Sequence, residues 1–94
     1  MMQVKADMDT ILKIYYSTTE LSNKEISILF DTKSTSTFAK LKKLARAKMA
    51  EKEKLVSSFY TVNTECAFEA WGIDVDRIEK NRAKLMKLGL YEGA

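Results

Sequence analysis

Ninety-four residues with 46% hydrophobic and 31% charged side chains make one small globular domain, not a disordered chain. There is no room for a second lobe with a deep cleft between. With no histidine, one cysteine and three isolated glycines, the chain lacks a zinc set, a phosphate-cradling loop and the commonest general base. The expectation is therefore a protein that is not an enzyme and holds no metal or cofactor.

The formal charge is +3, which alone says little about partners. Its distribution says more. Between Thr32 and Ala50 the charged residues are Lys33, Lys40, Lys42, Lys43, Arg46 and Lys48, with no carboxylate. The remainder of the chain is then mildly acidic. A basic element on an acidic body is the electrostatic footprint of a nucleic-acid binder, and its bland counterpart is a solvated lysine-rich helix face. Cys66 can form no internal disulfide. No apolar run approaches the roughly eighteen residues of a membrane span, and no signal-type apolar segment is evident. A cytoplasmic setting without membrane association is expected.

In chain order, Met8, Ile11, Leu12, Tyr15 and Tyr16 have the spacing of an amphipathic first helix over residues 7–16. Asp7 is its candidate N-cap and Asp9 suits the positive end of its dipole. Small hydroxyl residues at 17–19 then read as a turn. Ser22 and Glu25 form an S-x-x-E capping box, flanked by Leu21 and Ile26 as a hydrophobic staple. The second helix they open continues through Leu29 and Phe30 and ends near Asp31.

A polar turn at 31–34 leads to a third helix over residues 34–50, capped by Ser34 or Thr32. Phe38, Leu41, Leu44, Ala45 and Met49 hold its predicted buried face. At about 100° per residue, Thr35, Ser36, Ala39, Lys40, Lys43 and Arg46 fall on the other side. Residues 51–54 are a charged link. Residues 55–62 are rich in β-formers and predict a short two-stranded ribbon turning at Ser57–Ser58, or a single strand. Asn63 caps a short helix over 64–71 that Gly72 closes. Asp74 caps a last helix, with Ile73 and Ile78 as its staple, which runs to about Leu88 before Gly89.

The stretch LSNKEISILFDTKSTSTFAKLKKL, residues 21–44, resembles the helix-turn-helix of bacterial DNA-binding regulators. Glu25, Ile26, Ser27, Leu29 and Phe30 match its first helix, Ser34 to Thr37 the start of its second, and Leu41 and Leu44 its buried face. The following YTVNTECAFEAWGID looks like the strand and helix that end the winged domains of excisionase-like and MerR-like proteins of mobile elements. Asp31 stands where that family often has a turn glycine, and Asp tolerates a positive φ better than most residues. Thr37 stands where Val or Ile is usual, so Phe38 is the alternative anchor, with the register shifted by one. The resemblance implies a mainly α winged helix-turn-helix: a three-helix core, a short β-ribbon or strand, and additional C-terminal helices.

The expected partner is double-stranded DNA. Thr35, Ser36, Ala39, Lys40 and Lys43 would face bases and phosphates, with Ser34 at the helix start, while Lys33, Lys42 and Arg46 would clamp the backbone. Tyr60 is the candidate wing contact. The remaining aromatics read as core, and Cys66 as an inert, partly buried thiol. Leu85, Met86, Leu88, Leu90 and Tyr91 either close the core or form a homodimer contact. The biological output would be transcriptional regulation or an excisionase-like accessory role. The competing expectation is a helical protein-interaction module whose basic face meets an acidic partner.

Overall fold

The computed structural model describes residues 4–54 and 60–90. Five helices and one two-stranded antiparallel sheet follow in the order α1 (Met8–Ser17), β1 (Glu20–Leu21), α2 (Asn23–Phe30), α3 (Thr35–Glu51), β2 (Val62–Asn63), α4 (Thr64–Ala70) and α5 (Val75–Lys87). The mainly helical class expected from sequence is thus observed. None of the described helices is long and apolar enough to cross a membrane.

Local chemistry sets the helix boundaries. Asp7 Oδ1 accepts from Thr10 N at 2.8 Å, and Glu25 Oε1 accepts from Ser22 N at 2.8 Å to complete the capping box. Ser34, Asn63 and Asp74 accept from Thr37 N, Cys66 N and Arg77 N. Each bond satisfies an amide that the first turn of a helix leaves unpaired. Asp31 adopts the left-handed conformation at the end of α2, φ 50° and ψ 54°, as its tolerance for that region allows. Gly72, at φ 73°, closes α4 with Ile73 N donating to Phe68 O at 2.9 Å and Gly72 N to Glu69 O at 3.2 Å. That pairing satisfies two of the last carbonyls.

The strand pairing joins distant segments. Leu21 lies opposite Val62 and Glu20 opposite Asn63, so the segment ahead of α2 receives the chain as it returns from α3. Thr64 N extends the junction by donating to Thr19 O at 3.1 Å. β1 was not expected from sequence, because two residues carry no periodicity. The predicted ribbon falls largely on residues 55–59, outside the described residues, and its last position, Val62, is in β2.

The core gathers Ile11 and Ile14 of α1, Ile26, Leu29 and Phe30 of α2, Leu41, Ala45 and Met49 of α3, and Cys66, Ala67, Phe68 and Trp71 beside the strand residues Leu21 and Val62. Cys66 is fully buried, more so than expected. α3 packs chiefly on α4. There Trp71 Nε1 donates to Leu41 O at 2.8 Å, and Phe30 meets the indole edge-to-face at a centroid separation of 5.4 Å. Tyr15 packs tilted on Phe68. Tyr16, expected in the core, is 65% exposed because Ile14 takes the inward position one turn-face away. Its hydroxyl donates to Glu79 of α5, which raises the phenol pKa. Arg82 Nε meets Asp9 Oδ1 at 2.6 Å, and the two contacts tie α5 to α1.

Two stability measurements follow. Trp71→Phe removes the only side-chain donor to the Leu41 carbonyl among the described bonds, together with ring volume. It should cost about 1–3 kcal/mol by urea denaturation; an unchanged midpoint would exclude the clamp. Glu69 is held below its usual range, first by the hydrogen bond from Lys52. Its contribution is present above the unfolded carboxyl pKa and is lost as pH falls through the depressed folded value. Glu69→Gln should therefore flatten the acid limb of stability against pH.

Candidate nucleic-acid interface

α3 is a helix of 17 residues, beginning at Thr35 and free of acids until Glu51. Its orientation is fixed by what it buries. Leu41, Ala45 and Met49 are buried, Phe38 packs on the edge of the core, and Lys42 is only 8% exposed. At about 100° per residue these five occupy an arc of about 100°. Ser36, Lys40 and Lys43 lie on the opposite side of the helix, and all three are exposed. Thr35, Ala39 and Arg46 flank that face on one side and Leu44 on the other.

Two residues differ from the sequence expectation. Leu44, assigned to the buried face, is 37% exposed. Leu41 could be continued inward by either Leu44 or Ala45, and the close approach of α4 selects the small residue. Lys42, expected as a backbone clamp, turns inward instead. Its Nζ donates to the Tyr60 carbonyl at 2.8 Å, and burial, then the nearby Arg46 charge, lowers its pKa. Phe38, not Thr37, packs against the core, which is the shifted register left open by the sequence.

The other candidates can be placed one by one. Lys33, Ser34, Thr35, Ser36, Ala39, Lys40, Lys43 and Arg46 are all exposed. Ser34 Oγ shares a 2.9 Å hydrogen bond with Ser36 Oγ while capping the helix, so those two hydroxyls are oriented by each other. Lys48 approaches Glu51 at 3.4 Å and Glu69 at 3.7 Å. Its charge is spent within the molecule, which the sequence window alone did not reveal. Among the described residues Lys33, Lys40 and Lys43 have no ion-pair partner.

Thr35, Phe38, Ala39, Lys42 and Arg46 also line a shallow groove of about 290 Å³ with Asn23 of α2 and Tyr60. Tyr60 stands on its rim, 78% exposed. A separate cleft of about 570 Å³ lies between α1 and the start of α4 and α5, where Tyr15 and Tyr16 face Glu65 and Asp76. That side of the molecule is acidic. Among the described residues no cluster of His, Cys, Asp or Glu is placed to hold a metal ion. At the C-terminal end Met86, Leu88 and Leu90 are exposed, Leu85 is half-buried, and Tyr91 lies outside the described residues.

No family model, curated protein or solved structure matches the chain. The candidate surface is defined by its geometry: a rigid helix face carrying free cations, with an aromatic side chain beside it.

Because Lys40 and Lys43 touch nothing that holds the fold together, Lys40→Met and Lys43→Met should each change unfolding free energy by no more than about 0.5 kcal/mol. Asn63→Ala, which removes the cap of α4, should cost about 1 kcal/mol. Equal losses in all three, by chemical denaturation, would mean that the lysines serve stability.

Proposed function

We propose that the protein binds duplex DNA as a small winged helix-turn-helix module, with α3 in the major groove. The observation that carries this is the outward face of α3. Lys40 and Lys43 project opposite the buried side, no carboxylate precedes Glu51, and the acids lie on other elements. A helix pressed against a sugar–phosphate groove needs small residues for close approach and cations to displace counterions. Ser36 and Ala39 supply the first, and Lys40, Lys43 and Arg46 the second.

Further support comes from the connection. α2 and α3 are joined by a short turn through the left-handed Asp31, as in a helix-turn-helix whose second helix reads the groove. The excursion between α3 and β2 occupies the position of a wing. The resemblance to excisionase-like and MerR-like regulators assigns the biological role to transcriptional control or to an accessory function in recombination.

A second reading has one observation in its favour. Leu44 is exposed on the flank of the basic face, so an acidic amphipathic helix of another protein could meet both cations and an apolar side chain there.

Titration of a fluorescent duplex separates the two. With about four phosphates neutralised, affinity should fall roughly a hundredfold between about 50 and 200 mM salt. Lys43→Glu should weaken binding at least about tenfold through lost attraction and added repulsion. No association with any duplex at low salt would remove the DNA reading and leave the protein-interaction one.

A further inference from the structure

A lysine in the middle of a basic helix is ordinarily a candidate phosphate contact. Lys42 is placed differently. It is one of two buried polar or charged residues among those described, at 8% exposure. Its ammonium points along the flank of α3 to a backbone carbonyl, that of Tyr60, at 2.8 Å. A methionine would fill the same space without the cost of desolvating a cation. The head group therefore needs a reason of its own.

The position of its acceptor supplies one. α3 continues for nine residues beyond Lys42, about 14 Å along the axis at 1.5 Å per residue. The chain then leaves through Lys52 and the left-handed Glu53, with Lys54 N donating to Met49 O at 2.9 Å. At residue 60 it has come back beside the middle of α3. Beyond that point it is secured by the Thr61 hydroxyl, which donates to Glu20 at 2.8 Å, and by the pairing of Val62 with Leu21. Lys42 thus holds the last residue of the excursion before the sheet takes over. The Tyr60 side chain stands on the rim of the groove formed with Thr35, Ala39 and Arg46.

We propose that Lys42 is a positioning residue and not a phosphate contact. Its ammonium pins the Tyr60 carbonyl to the flank of α3, so that the Tyr60 ring and hydroxyl form a second contact to the duplex backbone, beside the groove occupied by α3. A tyrosine suits that place because its ring packs on a sugar while its hydroxyl donates to a phosphate oxygen. The proposal rests on the DNA-binding reading and deepens it: α3 and Tyr60 form one surface, and Lys42 fixes their separation.

Three consequences distinguish a strut from a direct contact. Lys42→Met should weaken binding to a fluorescein-labelled mixed-sequence duplex by roughly three- to tenfold while leaving the salt slope at its wild-type value, because no phosphate contact is lost. Tyr60→Ala, which retains the backbone carbonyl and alters an exposed side chain, should weaken binding by a similar factor. The double variant should bind no more weakly than Tyr60→Ala alone, since Lys42 acts through Tyr60. Circular dichroism melts of each variant confirm that the comparison is between folded proteins, and Tyr60→Ala tests the contact even if Lys42→Met does not fold. A salt slope reduced by about one in Lys42→Met would overturn the proposal by making Lys42 a phosphate contact. So would wild-type affinity in Tyr60→Ala, or additive losses in the double variant. Failure of the wild-type protein to bind the duplex at low salt would instead remove the underlying DNA reading, and the proposal with it.

Discussion

The hydrogen bond from the Trp71 indole to the Leu41 carbonyl is the contact on which the arrangement depends. A buried indole N–H must find an acceptor, and here the acceptor lies in the middle of the basic helix. Phe30 meets the same ring edge-to-face, so α2, α3 and α4 converge on one side chain. The Gly72 turn immediately after Trp71 fixes where the ring enters. With α3 held along that line, its rotation about its own axis is set, and so is the face that Ser36, Lys40 and Lys43 present. The proposed function is therefore a consequence of how the inner side of α3 is held.

Charge is distributed to match. Lys48 and Lys52, at the C-terminal end of α3, are engaged by Glu69 of α4, which binds those two helices and removes Lys48 from the outward set. Arg82 with Asp9 and Tyr16 with Glu79 do the same between α5 and α1. What is left without ion-pair partners among the described residues includes Lys33, Lys40 and Lys43, near the start and middle of α3. The exposed Met86, Leu88 and Leu90 lie at the far end of α5. They meet the expectation of an apolar C-terminal cluster that the small core does not absorb.

Most of the fold was legible in the sequence because helix boundaries are local events. Asp7, Ser22 with Glu25, Ser34, Asn63 and Asp74 each bond an amide within three residues of themselves, and Gly72 and Gly89 stop helices by their own backbone freedom. The features that escaped depend on distant partners. β1 exists because Val62 returns to Leu21. Leu44 is exposed because α4 selects Ala45 as the inward neighbour of Leu41. Lys42 is buried because Tyr60, eighteen positions later, offers it a carbonyl. The same division runs through the candidate site: Lys40 and Lys43 could be picked out from helical spacing, whereas the loss of Lys48 to Glu69 and the inward turn of Lys42 required the packed structure.

The most direct test is a map of backbone amide shifts as duplex DNA is added to the labelled protein at low salt. The account predicts changes concentrated at residues 35–46 and at Tyr60, with the acidic side around Glu65 and Asp76 unaffected. Changes centred on α4 and α5, with α3 silent, would contradict it.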